Sequence, residues 1–449
     1  MNENDQISNS SNSSTSRYLL YGMPRLGAAL VLGIEGWAVF ALYTIGYGVA
    51  PFLVAFALAM GYLSIAASQF LLGWLSDSKY TRWGRRKPYL LIFSPLLGIS
   101  FILLLIPALV LPDLNDKYTL FLWLLVWDIV FRFSYGVTTP YQSWTAEQFN
   151  VTERPKVSQF QNIFAFIGNG TMAVVTLLVL TGVFEKVSKS PNVIPIEFIV
   201  PIAIFAILFV VLFYLIVFLM PTEPNFKIDS SLTTNLKKII KNKTFMKVVL
   251  MQGITSIALA ITTRIMLYYT EVVLDLTGSD YIAIAAFLLI GIFAFLYLWR
   301  KSIQKKGKKQ TLLNILLLGI LFLPITLFGL LPIVSNLIFG AIFIVGIAAI
   351  LGGWFLFPYI MYADLAEDDE KTTGELKAGL YTGFPSIILN LFQAFGLLVI
   401  GIVLSLPPMG GLGYSIGLVI WGPICSIVLI ITWLYTKKYV VLDFEWENK

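Results

Sequence analysis

Four charged residues stand where charge is expensive: Glu35, Asp128, Arg132 and Arg264 each fall inside a long apolar run. An ionisable side chain in the middle of a lipid-crossing segment costs roughly 2.5–3.5 kcal/mol on insertion scales, so such residues are candidates for function. The chemistry that suits them is proton transfer. Burial favours the neutral form of a carboxyl group and a nearby guanidinium favours the ionised one, and a carboxyl held between the two takes up and releases a proton. Asp128 and Arg132 are four residues apart, which puts both on one helix face. Glu35 lies nine residues into the first apolar run, about 14 Å along a helical axis and so near the middle of a membrane. Glu35 or Asp128 is then the candidate carrier of a coupling proton, with Arg132 as its partner; the alternative is a static buried ion pair. Arg264, in the outer half of a later run, suits an anionic or polyhydroxyl substrate, or else an ion pair with Glu271 or with an acid on a facing helix.

Other chemistries are excluded by what the chain lacks. It has no histidine, which removes His catalysis, His proton relays and His metal sites, and its one cysteine, Cys425, leaves no intrachain disulfide and no Cys metal cluster. Gly410-Gly411-Leu412-Gly413 follows no strand pattern and reads as a turn, not a phosphate cradle. An enzyme is not expected, nor any cofactor or metal.

These side chains need apolar helices to hold them. Of 449 residues, 58% are hydrophobic and 12% charged, against about 25% charged in an average soluble domain. This is the composition of an integral membrane protein. A span needs about 20 apolar residues, and twelve such runs are found, near 26 to 48, 50 to 76, 88 to 111, 118 to 143, 157 to 183, 196 to 220, 245 to 271, 279 to 300, 310 to 332, 335 to 363, 378 to 405 and 413 to 436. Residues 1–16 are polar and read as a disordered tail without the apolar core of a signal peptide.

The net charge of +6 is concentrated in short loops. Lys79, Arg82, Arg85, Arg86 and Lys87, then Arg154 and Lys156, the lysines of residues 227–247, Arg300 to Lys309, and Lys371 and Lys377 all fall on one side of the alternating runs. The other side holds only Lys117, Lys186 and Lys189. This is the positive-inside pattern, and it places both termini in the cytoplasm of a multi-pass cell-membrane protein. It also makes a nucleic-acid partner unnecessary. The longest polar interruption divides the chain into bundles of six helices, residues 17–220 and 245–436, with a linker at 221–244 and a tail at 437–449. The halves echo each other: Gly84-Arg85-Arg86 lies 223 residues before Gly307-Lys308-Lys309, and Pro140-Tyr141 lies 218 before Pro358-Tyr359. Parallel repeats around a midplane site are a transporter architecture.

Gly73-Trp74, Asp77 and Arg82-Trp83-Gly84-Arg85-Arg86-Lys87-Pro88 resemble the loop between helices 2 and 3 of the major facilitator superfamily, and in particular the glycoside-pentoside-hexuronide cation symporters that include melibiose permease. Thr139-Pro140-Tyr141 and the stretch from Ala363-Asp364 through Glu367-Asp368-Asp369-Glu370, Thr373-Gly374-Glu375, Lys377, Gly379 and Tyr381-Thr382-Gly383 support the same resemblance. It implies an all-α membrane protein with twelve helices in two six-helix bundles, alternating access, and a sugar carried with Na⁺ or H⁺. In that fold helices 1, 4, 7 and 10 line the cavity, so Glu35, Asp128 and Arg132 are expected to meet. The sodium-site acids of melibiose-type relatives fall at Ile65 and Gln69, their helix 4 acid at Thr138, their helix 1 sugar-binding acid near Ala29 and their helix 11 lysine near Leu389 or Asn390. Neither the sodium site nor that sugar site carries over, and H⁺ is the expected coupling ion.

Sugar recognition needs flat aromatic faces and paired donors and acceptors. Trp127, Tyr141, Gln142, Asn162, Arg264, Trp354, Tyr359, Asn390 and Gln393 offer them, with ordinary packing and helix-to-helix hydrogen bonds as the alternative for each. The resemblance implies a gating role for Asp77 with Arg82, Arg85 and Arg86, and for Asp364; membrane topology alone would explain the cations but not Asp77. The expectation is a monomeric symporter in the lipid bilayer for a small molecule, a sugar or glycoside. Exporting an amphipathic or lipid-like solute, uncoupled facilitation and a non-transporting membrane sensor remain as alternatives.

Overall fold

The computed structural model describes residues 15–149, 153–175, 181–223, 240–276, 278–331, 336–373, 378–408, 411 and 413–444. Most of the tail at 1–16, most of the linker at 221–244, and Gly410, Leu412, Gly374, Glu375 and Lys377 of the sequence motifs lie outside them. For Asp77 and Tyr359 the backbone alone is described.

Among the described residues the chain is helical, with isolated β-bridges and no strand. In order, the helices are α1 (Pro24–Ala41), continued by a π-helical turn at Leu42–Gly46, α2 (Pro51–Ser78), α3 (Lys87–Leu105), α4 (Lys117–Tyr135), α5 (Thr138–Gln148), α6 (Arg154–Val175) and α7 (Thr181–Lys189). They continue with α8 (Ile196–Leu219), α9 (Lys243–Val272), α10 (Gly278–Lys306), α11 (Lys308–Phe322), extended by a 3₁₀ segment at Leu323–Leu330, α12 (Asn336–Thr373), α13 (Ala378–Leu404) and α14 (Gly417–Tyr439). Among the described residues, eleven stretches are long and apolar enough to cross a membrane. The predicted fifth run is the difference. Its helix α6 carries Gln159, Gln161, Asn162 and Asn169, and the apolar residues 176–180 of the run lie outside the described residues.

Two further boundaries differ from the sequence reading for physical reasons. The first membrane-crossing stretch begins at Thr15, with helical turns ahead of α1, not near residue 26. Its opening turns are not apolar, but they are tied down: Arg17 donates to the Gln148 carbonyl at 2.9 Å, Tyr18 to Glu153 at 2.8 Å and Tyr21 to the Tyr141 carbonyl at 2.6 Å. The ninth run changes from α to 3₁₀ at Leu323, beside Pro324, whose missing N–H cannot continue the α ladder.

Packing brings distant parts of the chain together. α2 lies along both α4 and α13, α1 along α6, α8 and α9, and α9 along α13 and α14. The outside stays apolar: α8 leaves Ile204, Ile207, Val211 and Phe218 exposed, as suits a helix whose solvent is lipid. The end carrying the Lys- and Arg-rich loops is called the basic end below.

Candidate functional site

The charged residues of the apolar runs converge. Glu35 is fully buried on α1, and its Oε2 accepts from the Arg132 guanidinium on α4 at 2.6 Å. Its Oε1 is 3.2 Å from the Arg264 guanidinium on α9, and Arg264 also donates to the Glu35 backbone carbonyl at 2.7 Å. Arg264 is therefore spent on an acid of a facing helix, the alternative left open by the sequence. Tyr62 of α2 closes the group: its ring lies under Arg132, guanidinium carbon to centroid 4.0 Å, and its hydroxyl is 3.5 Å from Arg264.

Asp128 is different. It too is fully buried, yet among the described residues neither carboxylate oxygen has a hydrogen-bond partner, and the nearest cation, Arg132 Nε, stands 4.0 Å away, itself without an acceptor. Its carboxylate fits against Gly61 of α2, where any side chain would collide with it. A charge buried without donors costs several kcal/mol, and the larger, charged part of that cost is lifted when the group carries a proton.

The candidate substrate residues do not meet at one cavity. Asn162 is exposed and, with Ser158, Gln159, Ile163, Phe166 and Ile167 of α6, lines an open cavity of about 570 Å³. Trp354 is buried beside a cavity of about 20 Å³, with Thr255 and Thr262 among its walls. Tyr141 is wholly enclosed; its hydroxyl donates to the Tyr21 carbonyl at 2.5 Å and the two rings stack. It has no exposed face to offer a ligand. Trp127 is half-buried against Trp123, Gln142 is exposed, and Gln393 is half-buried on α13. Asn390 reaches across to α2, where Gln69 Oε1 accepts from Asn390 at 3.4 Å and from Ser386 at 2.8 Å. The Tyr359 side chain lies outside the described residues.

A second polar cluster sits at the basic end. Arg86 forks onto Glu147 Oε1 at 2.6 and 3.1 Å and reaches Ser76 at 2.6 Å. Burial pushes the Glu147 carboxyl up from its ordinary range, more than Arg86 beside it pulls it down. Glu223, 1% exposed, accepts from the backbone N–H groups of Arg85 and Arg86 and from the Trp144 indole at 2.9 Å. Arg85 lies over the Tyr80 ring and Arg82 is exposed. In the other half Lys308 pairs with Asp364 at 2.7 Å, and the Asp77 side chain is not described.

Tyr62, Glu223 and Asp443 carry contacts that the sequence did not single out, and Gln69, named there only as the place of a missing acid, holds Asn390 and Ser386. For Glu223 and Asp443 a signal existed: they lie 220 residues apart, each shortly after the last apolar run of a half.

Residues 20–416 match the family described as MFS/sugar transport protein. The chain belongs to that family. Its fold is the major facilitator fold, and its family is one of transporters, not of enzymes. An uncharacterized symporter of Synechocystis sp. (strain ATCC 27184 / PCC 6803 / Kazusa) is 26% identical over 175 residues, 37% of this chain and 31% of the relative. The match thus spans about a third of that curated relative's length. Among solved structures, a D-xylose-proton symporter is similar with a TM-score of 0.66 at 15% identity, covering 95% of this chain and 98% of that one. The nucleoside transporter NupG gives 0.62 at 16% identity, covering 94% and 99%. At these identities the likeness concerns the fold.

Proposed function

We propose that the protein is a proton-coupled symporter that carries a sugar or glycoside through the cell membrane by alternating access, with both termini and the basic end in the cytoplasm. The observation that carries this reading is the donor-free, fully buried Asp128 carboxyl beside an arginine already engaged with Glu35. A proton on Asp128 removes a charge that no hydrogen bond stabilises and that faces Arg132 only at 4.0 Å. When the proton leaves, the new carboxylate draws Arg132 from Glu35, and Glu35 is left holding Arg264 alone. Because Arg264 links α9 to α1, the protonation state of one half bears on its grip on the other.

Twelve spans, with α6 as the fifth, fit this reading, as two bundles at 17–220 and 245–436. Asn162, on the open cavity, is the best placed of the substrate candidates, with Asn390 and Gln393 on α13. Asp77, Arg82, Arg85, Arg86 and Asp364 act at the cytoplasmic gate. A second reading, export of an amphipathic solute, is favoured by Ile163, Phe166 and Ile167 on the wall of the same cavity.

The test is uptake into proteoliposomes under an inward proton gradient without sodium, over neutral sugars, glycosides and nucleosides. A gradient of one pH unit drives about tenfold accumulation at one proton per substrate. Wild type should reach it, and Glu35→Gln and Asp128→Asn should equilibrate only. Equilibration by all three would make the protein an uncoupled facilitator with a structural ion pair. Movement of none of these solutes would shift support to the amphipathic one.

A further inference from the structure

We propose that Tyr62 is a positioning residue for this cluster: its ring holds the Arg132 guanidinium on Glu35 and away from Asp128. The inference rests on the reading of Asp128 as the proton carrier. When Asp128 is neutral, Glu35 alone faces Arg132 and Arg264, one negative charge against two positive in a place 0 to 3% exposed. The groups facing Arg132 are few. Glu35 comes from α1, Asp128 from its own helix α4, Arg264 from α9, and Gly61 and Tyr62 from α2, with Tyr43 of the π-helical turn near enough to interact with the Asp128 charge. Of these, only Tyr62 presents an aromatic face to Arg132, at 4.0 Å. A cation over the face of a ring is attracted by its quadrupole, most strongly where water is excluded.

Gly61 and Tyr62 divide the work. The glycine leaves the notch that admits the Asp128 carboxyl, and the next residue supplies the wall against which Arg132 lies flat. Without the wall, Arg132 has a second partner within reach, since its Nε is already 4.0 Å from Asp128 Oδ1. The guanidinium would turn onto Asp128 and hold it as a carboxylate. The face of the ring is what matters, and the hydroxyl, 3.5 Å from Arg264, is secondary.

The experiment needs no substrate. Purified full-length protein is melted from pH 5 to 9 as wild type, Tyr62→Phe, Tyr62→Leu and Tyr62→Met, each also in an Asp128→Asn background. Tyr62→Phe should overlay wild type. Tyr62→Leu should move the pH profile about one unit lower, the size of a desolvated cation–π contact, and Tyr62→Met provides the same reading should the leucine variant not fold. In the Asp128→Asn background neither should move it, because the second partner of Arg132 is gone. A phenylalanine variant displaced as far as the leucine one, an undisplaced leucine variant, or a displacement that survives Asp128→Asn would each overturn the proposal. Failure of the wild type to accumulate any solute would count against the transport reading and leave these profiles to decide on Tyr62.

Discussion

The two halves of the chain build the same device at the basic end and fasten it to different depths. In the first half, Gly84 turns the chain with φ +91° and the following N–H groups of Arg85 and Arg86 point at Glu223, which comes from just after α8. In the second, Gly307 turns with φ +80° and the N–H groups of Lys308 and Lys309 point at Asp443, which comes from just after α14. Each acid thus caps the start of a helix, α3 or α11, with its charge at the positive end of the helix dipole. The difference lies in the surroundings. Glu223 is buried and also holds Trp144, with its backbone carbonyl held by Tyr80 at 2.8 Å, whereas Asp443 is exposed. The companion ion pairs differ in the same sense: Arg86 and Glu147 are 3% and 8% exposed, Lys308 and Asp364 16% and 18%. A repeated backbone geometry does not imply repeated energetics. The first copy is part of the core and the second is a surface fastening.

Removing the two acids is the strongest way to break the comparison. Glu223→Ala strands two backbone donors and an indole N–H inside the protein, a loss of about 3–5 kcal/mol for a broken buried charge contact. Asp443→Ala removes an exposed cap worth about 1 kcal/mol, since water replaces it. Melting temperatures of the purified variants should therefore fall far more for Glu223→Ala. Equal shifts would mean that burial is not what separates the two copies.

This pairing also shows what could be read from the sequence. The glycine-cation echoes at 84 and 307 are visible because clustered cations are rare in an apolar chain, and Glu35, Asp128, Arg132 and Arg264 stand out because apolar runs hold few charges. Glu223 did not stand out, because an acid in a polar linker looks like any other until the chain folds it under α3. Tyr62 was invisible for the opposite reason: one aromatic among many acquires meaning only when Arg132 arrives over its ring from another helix. The helical turns from Thr15 ahead of α1 are not legible in hydropathy, because tertiary hydrogen bonds hold them there. The scattered fate of Tyr141, Trp354 and Asn162 follows from the same limit. Residue type says what a side chain can bind, whereas the rotation of its helix decides whether it faces a cavity or a neighbour.

A methyl group at the two glycines sharpens the comparison at a smaller scale. Both substitutions put a side chain on a positive-φ residue, a strain of about 1–3 kcal/mol. At Gly84 a Cβ would also lie 2.7 Å from Glu223 Oε1 and 2.8 Å from Thr222 Cγ2, too close unless the buried cap shifts. At Gly307 the nearest atom is Asp443 Oδ1 at 3.2 Å, on an exposed side chain free to yield. Gly84→Ala should lower the melting temperature more than Gly307→Ala, and Glu223→Asp, with its shorter side chain, should partly restore the former. A loss at Gly307 as large as that at Gly84 would show that backbone strain alone sets the effect.

The smallest effect concerns protons at the deeper copy. Glu147 shares Arg86 through Oε1, while its Oε2 accepts no hydrogen bond and Glu223 stands nearby with a second negative charge. Burial raises its proton affinity above that of a carboxyl in water, whose ordinary value is near 4.5. An acid raised in this way favours the packed arrangement when protonated. That contribution is fully present below the ordinary value and is lost as pH rises through the raised one. The packing of α5 against the Arg86 loop should therefore tighten as the pH falls from neutral toward 5. Glu147→Gln, which keeps the acceptor and removes the charge, should hold the tight form at every pH. Hydrogen exchange of residues 76–90 between pH 5 and 8 reads this directly: wild type should become more protected toward acid and the glutamine variant should stay flat. Protection that rises toward alkaline pH would mean that the Arg86 ion pair, and not burial, dominates at Glu147, and would make the deeper copy an ordinary salt bridge like the one between Lys308 and Asp364.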